Sequence, residues 1–165
     1  DMTTSALDVA EFRSIVGHFA TGVTVITTVR DAERFGTTAS AFSSLSLEPP
    51  SVLVCLNRSS TTNPVIAETG VFAVNILADD QAGIARRFGA RGPDKFDGTP
   101  IDVHAATGIP LIEGALATIV CEVMDAPVGG THTVYFGRVI DAHARAGEPL
   151  AYYRGQFGRF AEYQI

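Results

Sequence analysis

Gly36-Thr-Thr-Ala-Ser-Ala-Phe-Ser-Ser-Leu-Ser-Leu-Glu-Pro-Pro50, continuing into Ser51-Val-Leu-Val-Cys-Leu56, sets a run of small hydroxyl side chains between two apolar segments. Such a run can line a polar ligand lying against a sheet. Ser, Thr and backbone amides donate hydrogen bonds without a formal charge, and short side chains let the backbone approach closely. A Ser-rich surface turn is the competing reading. The flanks favour strands. Upstream, Val23-Thr-Val-Ile-Thr-Thr-Val29 is rich in β-branched residues that suit a pleated surface, and Arg30 to Gly36 reads as a polar turn that returns the chain as a second strand. Pro49 and Pro50 end the run because neither donates to a ladder, and Ser51 to Leu56 resumes as a central strand.

Further out, Asp8 and Glu11 form a capping-box pattern ahead of Phe12, Ile15, Val16, Phe19 and Ala20, which predicts a helix over 8–20 with one apolar face, stopped by Gly22. A short helix is predicted over Pro64–Glu68, ended by Gly70, and Val71–Leu77 follows as a strand. Asp79 and Asp80 are positioned to cap a helix with apolar positions Ile84, Ala85 and Phe88 and with Arg86 and Arg87 near its C-terminal end. Gly89 to Gly108 reads as a long loop of the kind that belongs to a site or an interface. Two longer strands, Ala115–Ala126 and Thr133–Ala144, are joined by the turn Pro127–His132. Without regular βαβ units, this order predicts a mostly β fold with peripheral helices, a closed or partly closed barrel.

With 165 residues, 46% of them hydrophobic, the chain suits one domain over 1–165, with residues 1–7 a loose N-terminus. A net charge of −6 with interspersed signs argues against a nucleic-acid surface. No apolar run of 18 or more argues for a membrane span. Cys55 and Cys121 lie in apolar, strand-like runs, so buried free thiols in a reducing, cytoplasmic setting are expected.

The chemistry-bearing residues are few. There is no glycine-rich dinucleotide fingerprint and no phosphate loop. His18, His104, His132 and His143 show no metal-ligand spacing, so no metal is expected. Ser43, Ser44 and Ser46 have no acid–base partner at motif spacing. His132, at the end of a glycine turn and the start of a strand, is either a turn residue or a site residue. Asn57, Ser59, Ser60, Thr61 and Thr62 lie between a strand and a helix, where they serve equally well as an N-cap or as a phosphate holder. The C-terminal aromatics and arginines, from Tyr152-Tyr-Arg154 to Phe157-Gly-Arg-Phe160, suit either packing on the barrel or on a second subunit, or ligand stacking.

Five segments in this order, Thr21–Thr28, Gly36–Pro50, Val52–Leu56, Gly70–Leu77 and His132–Val139, resemble the short-chain flavin reductases that supply reduced flavin to two-component monooxygenases. The resemblance covers about residues 10–160. It implies a homodimeric split β-barrel that binds FAD or FMN, FAD favoured, and takes hydride from NADH rather than NADPH. Position by position, it implies that Thr37, Thr38, Ala39, Ser40 and Ala41 border the isoalloxazine, with Cys55, Leu56 and Asn57 continuing the wall. Ser60, Thr61 and Thr62 fall near the ribityl or phosphate region, and Arg87, Phe88 and Gly89 near the pyrophosphate or adenine. His132 falls beside the nicotinamide as the catalytic residue, and Tyr152 and Tyr153 in the aromatic tail motif. The family pattern Gly-Asp-His is Gly130-Thr131-His132 in this chain. A flavin-dependent reductase of an organic substrate, a noncatalytic flavin or heme carrier, and a cofactor-free dimeric barrel are the alternatives.

Overall fold

A computed structural model describes residues 6–165, so the expected loose N-terminus falls, for residues 1–5, outside the described residues. The first half of the chain runs α1 (Val9–Val16), β1 (Thr21–Gly22), β2 (Thr24–Arg30), β3 (Glu33–Ala39), β4 (Phe42–Leu47), β5 (Pro50–Asn57), α2 (Thr62–Thr69) and β6 (Val71–Ile76). The second half runs α3 (Ala82–Gly89), β7 (Ile101–Val103), β8 (Pro110–Ile112), β9 (Ala117–Asp125), β10 (Val128–Gly129), β11 (His132–Ala144), β12 (Leu150–Tyr153) and β13 (Gln156–Arg159).

The main sheet is antiparallel in the order β3-β2-β6-β9-β11-β5-β4, with β10 paired beside β11. Strands β3 and β4 are consecutive in the chain yet lie at opposite edges of this sheet, with only Ser40 and Ala41 between them. The sheet therefore has to curl until its two edges meet at that dipeptide. There the Cys55 N–H donates to the Ala41 carbonyl (3.0 Å) and the Phe42 N–H to the Ser40 carbonyl (3.0 Å). The edges do not pair along their length, so the barrel is split rather than closed. The hydroxyl-rich run is the hinge of that split.

Alternation along β2 divides the apolar interior. Ile26 faces the barrel core with Val54, Leu56, Phe72, Val74 and Tyr135, while Val23 and Val25 face outward to a second cluster with Leu77, Ala85 and Phe88 under α3. Asn75 ties the layers together. Its amide donates to the Val25 carbonyl (2.9 Å) and its Oδ1 accepts from the Ile112 N–H (2.8 Å).

Several expectations shift. The polar turn over Arg30–Gly36 is only Asp31-Ala32, both at positive φ (49° and 66°), and β3 already begins at Glu33. Two residues at positive φ match the right-handed twist of a two-residue hairpin, which lengthens both strands. The cap of α3 is Gln81, not Asp79 or Asp80. The supposed loop over Gly89–Gly108 contains β7, which pairs with β8. The aromatic tail is the hairpin β12–β13, with β12 also paired to β1.

Helix α1 departs most. It ends at Val16, with Gly17 as C-cap, and buries no residue. Phe12 and Ile15 are each 54% exposed and Phe19 is 80% exposed. Of the expected apolar face, Phe12 and Ile15 point away from the cleft beneath the helix. Ala10, Arg13, Ser14 and Gly17, the same helical spacing offset by two residues, wall that cleft, and Val16 and Phe19 join them in its lining.

Candidate functional site

The cleft under α1 has a volume of about 1080 Å³ and reaches across β1 to Ser40, Ala41 and Phe42 at the barrel hinge. A smaller lobe of about 420 Å³ lies between Thr38 and the C-terminal end of α3. The two share Val23, Ser40 and Tyr152, which makes them one groove running past the hinge. Its apolar walls include Val16, Phe19, Val23, Phe42, Ile76 and Phe157. The charged side chains lining it among the described residues are Arg13, Arg154 and Arg86, with no carboxylate, although acidic residues outnumber basic ones 18 to 12 in the chain. The buried Thr21 hydroxyl, also in the lining, has no hydrogen-bond partner. Apolar walls, idle hydroxyl and guanidinium donors and a sharply turned backbone fit a flat heterocycle that carries phosphate.

Of the five consecutive residues expected to border the ligand, side-chain alternation sends only some into the groove. Thr38 and Ser40 line it, and Ala41 joins them at the hinge. Ala39 packs in the barrel core, and Thr37, opposite Ile26, lies on the same inward face as Ala39. The Thr38 hydroxyl donates to the Ala85 carbonyl (2.7 Å), which fixes α3 over β3. Gly89 lines the smaller lobe; a Cβ there would sit 3.8 Å from Thr38.

The neighbouring α3 residues divide differently from expectation. Phe88 is fully buried, edge-on to Phe96 at 4.9 Å. Arg87 donates to the Asp97 carbonyl (3.1 Å) and the Thr99 hydroxyl (2.5 Å), bracing the segment after α3. Arg86 is the arginine that reaches the groove, with its guanidinium 5.4 Å from the Phe157 ring centre. The sequence offered Arg86 and Arg87 as neighbours, and helical rotation of about 100° per residue separates their roles. Tyr152 lines both lobes, whereas Tyr153 lies outside them, edge-on to His18 at 6.4 Å.

The remaining expected residues gather at the ends of β5 and β11. Cys55 and Asn57 alternate with the buried Val54 and Leu56, so Leu56 belongs to the core while Cys55 and Asn57 face outward. Burial pushes the Cys55 thiol up, which keeps it neutral, and neither Cys55 nor Asn57 is in the lining of the groove. Asn57 Oδ1 accepts from the Ser59 N–H (2.9 Å) and hydroxyl (2.8 Å), and the Ser60 hydroxyl accepts from the Thr62 N–H (3.2 Å). Thr61 precedes the first residue of α2 as its N-cap without a side-chain cap bond. The Thr62 hydroxyl is buried and unpartnered.

His132 pairs with Asn57 in the ladder, and its Nδ1 lies 2.9 Å from the Thr131 hydroxyl. Thr131, which stands where the family pattern has Asp, thus places a hydroxyl rather than a carboxylate beside the imidazole. From Ala41, the path to His132 crosses two strand spacings and two residues along β11. That amounts to roughly 12 Å on the outer face. The histidine flanks the groove rather than lining it. Asn63, which drew no attention in the sequence, holds this corner: its amide donates to the Leu56 carbonyl (3.2 Å) and the Thr133 hydroxyl (3.1 Å), and its Oδ1 accepts from the Tyr135 hydroxyl (2.6 Å). A buried polar residue between two strands and a helix was its only signal.

The profile of the flavin reductase like domain matches residues 16–161. The chain belongs to the flavin reductase family. This flavin reductase is 46% identical over 158 residues to the reductase component of a 4-nitrophenol 4-monooxygenase/4-nitrocatechol 2-monooxygenase from Rhodococcus opacus, covering 96% of this chain and 84% of the relative. It is 44% identical to the reductase subunit HsaB of a flavin-dependent monooxygenase from Rhodococcus jostii, covering 92% and 78%. The NADH:FAD oxidoreductase SgcE6 of Streptomyces globisporus, solved with NAD and FAD fragments, superposes with a TM-score of 0.90 at 37% identity and covers 93% of both chains. Split barrel, groove and relatives agree on a reductase fold. Among the described residues, no helix is long and apolar enough to cross a membrane.

Proposed function

We propose that this flavin reductase is an NADH:flavin oxidoreductase that reduces FAD, or FMN less readily, and hands the reduced flavin to a partner monooxygenase. The observation that carries the reading is the single groove at the barrel hinge, whose walls are apolar and hydroxyl-bearing and whose charges are all positive.

A bound flavin supplies the two-electron acceptor for the nicotinamide hydride. The work left to the chain is positioning. Ser40 and Ala41, at the point where β3 breaks into β4, offer hydroxyl and backbone donors to one edge of the ring, and Phe42 and Ile76 exclude water from its face, while Thr38 holds α3 over β3. Such alignment of two reactants supplies up to about 7–11 kcal/mol of the barrier without an acid or base. Thr131 orients the His132 imidazole at the outer flank, where it borders the nicotinamide. Arg86 stands at the phosphate or adenine side of a dinucleotide.

The active unit is a homodimer. The uncovered Phe12 and Ile15, on a helix with no buried residue, and the exposed Val16 and Phe19 at the cleft support it: a second copy buries the outer pair and closes the cleft. Two free thiols and relatives that serve monooxygenases support a cytoplasmic site of action.

The test is NADH and NADPH oxidation at 340 nm by the purified protein, without flavin and then with FAD or FMN. Oxidation that saturates with one flavin and prefers NADH supports the reading. No oxidation with any pairing turns the groove into a carrier site.

A further inference from the structure

We propose that Arg13 and Arg154 form a phosphate subsite at the α1 end of the groove, separate from the Arg86 lobe. The proposal rests on the nucleotide-binding reading above and assigns it residues. Arg13 projects from the inner face of α1, and Arg154 from the turn between β12 and β13. The two walls are locked together: the Arg154 N–H donates to the Gly17 carbonyl (3.1 Å), and the Gly17 N–H to the Arg13 carbonyl (3.0 Å). Both guanidinium-bearing residues are therefore fixed at the mouth of one cleft.

Their idleness is the second observation. Arg30 pairs with Glu68, Arg138 with Glu122 and Arg159 with Asp79, and Arg87, Arg145 and Arg58 donate to carbonyls; of the other guanidinium groups left without such a partner among the described residues, Arg34 and Arg91 lie outside the groove and Arg86 lines its other lobe. Among the described residues, neither Arg13 nor Arg154 has a side-chain hydrogen bond or ion pair. Third, Arg154 occupies a left-handed position (φ 48°) ahead of Gly155 (φ 80°) in a two-residue hairpin. Asn or Gly fits that position with less strain, so a long cation there costs stability while placing charge at the cleft. Fourth, the unpartnered Thr21 hydroxyl lies in the same lining. Two forked cations and a hydroxyl beside apolar walls match a phosphate ester attached to a flat ring.

Both flavin nucleotides and nicotinamide dinucleotides carry that group, and binding separates them. Riboflavin, FMN and ADP-ribose are titrated calorimetrically into the wild-type protein, Arg13→Gln, Arg154→Gln and the corresponding Lys variants. Removing one charge-assisted contact weakens the phosphate-bearing ligand by about tenfold or more and leaves riboflavin unchanged, with partial recovery in Lys. A loss confined to FMN assigns the subsite to the flavin, and one confined to ADP-ribose assigns it to the hydride donor. Inorganic pyrophosphate competing with FMN on the wild-type protein tests the same point without any variant. Equal weakening of riboflavin and FMN, or no change for either phosphate ligand, overturns the proposal. Phosphate-dependent binding without NADH oxidation upholds the subsite while the reductase reading fails.

Discussion

Helices α1 and α3 are each eight residues long and carry an apolar stripe, yet α3 buries Ala85 and Phe88 while α1 buries nothing. The difference lies in what the chain lays beneath them. Helix α3 sits on β2 and β3, where Gly36 leaves room for the Phe88 ring: a Cβ at Gly36 would come within 2.9 Å of it. Helix α1 overhangs a cleft with Ala10, Arg13, Ser14 and Val16 and turns Phe12 outward. A periodic apolar stripe reports which face avoids water, and topology or a second chain decides what covers it.

The largest effect should come from the covered helix. Phe88→Ala is expected to cost about 3–5 kcal/mol in chemical denaturation. Phe12→Ala, measured at concentrations where the chain is monomeric, should change stability by less than about 0.5 kcal/mol. The pair separates further by sedimentation: if a second copy covers α1 as proposed, Phe12→Asp with Ile15→Asp should leave a folded monomer at concentrations where the wild-type protein sediments as a dimer. Equal destabilisation by both alanine variants would mean that α1 is held by its own chain and would break the contrast.

On the covered side there is little slack. Gly137 in β11 lies where the register against β9 shifts, and a Cβ there would meet the Phe72 ring at 2.6 Å and the Cys121 Cβ at 2.8 Å. Gly137→Ala should therefore cost about 1–3 kcal/mol by overpacking, read from the shift of the denaturation midpoint. Cys121 sharpens the same point through pH. Burial pushes its thiol up to about 12, well above the ordinary range of a cysteine thiol. The folded state then holds a proton that the unfolded state releases. Its contribution is fully present below pH 9 and is lost between 9 and 12, by up to about 1.4 kcal/mol per pH unit. Cys121→Ala should flatten that slope, and a thiol reagent should label the partly exposed Cys55 long before Cys121.

These contrasts mark what the residues alone made legible. The β-branched run of β2, the apolar β5, β6, β9 and β11, and the absence of βαβ units were enough for a mostly β, closed or partly closed barrel, because strand periodicity is local; that it is split came with the resemblance. The two-residue turn at Asp31-Ala32 was hidden because neither residue is the Asn-Gly pair that announces such a hairpin. The β7–β8 hairpin was hidden by its three-residue strands within a Gly- and Pro-rich stretch. Within the site, Thr38, Ser40, Ala41, Gly89 and Tyr152 were recoverable from the resemblance, and the groove gathers them. Arg86, Arg13, Arg154 and Asn63 were not. Their roles follow from helical rotation, from a turn conformation and from contacts across 70 residues, such as Asn63 to Thr133, none of which leaves a pattern in neighbouring positions.

The smallest effect tests α1 from its own end. The Asp8 carboxylate accepts from the Ala10 N–H at 3.3 Å, a long cap bond, so Asp8→Ala should cost only about 0.5–1 kcal/mol. Because α1 buries nothing in its own chain, that loss should be felt as fraying of the helix rather than as a lower melting temperature. Exchange of the Phe12 amide, which donates to the Asp8 carbonyl, should speed up by about two- to fivefold in dilute solution. At concentrations where a second copy covers the apolar face, the same substitution should act on association instead, and the exchange difference should shrink as dimer forms. A difference that ignores concentration would show that nothing covers α1, and the contrast with α3 would then describe two independent helices rather than one core and one interface.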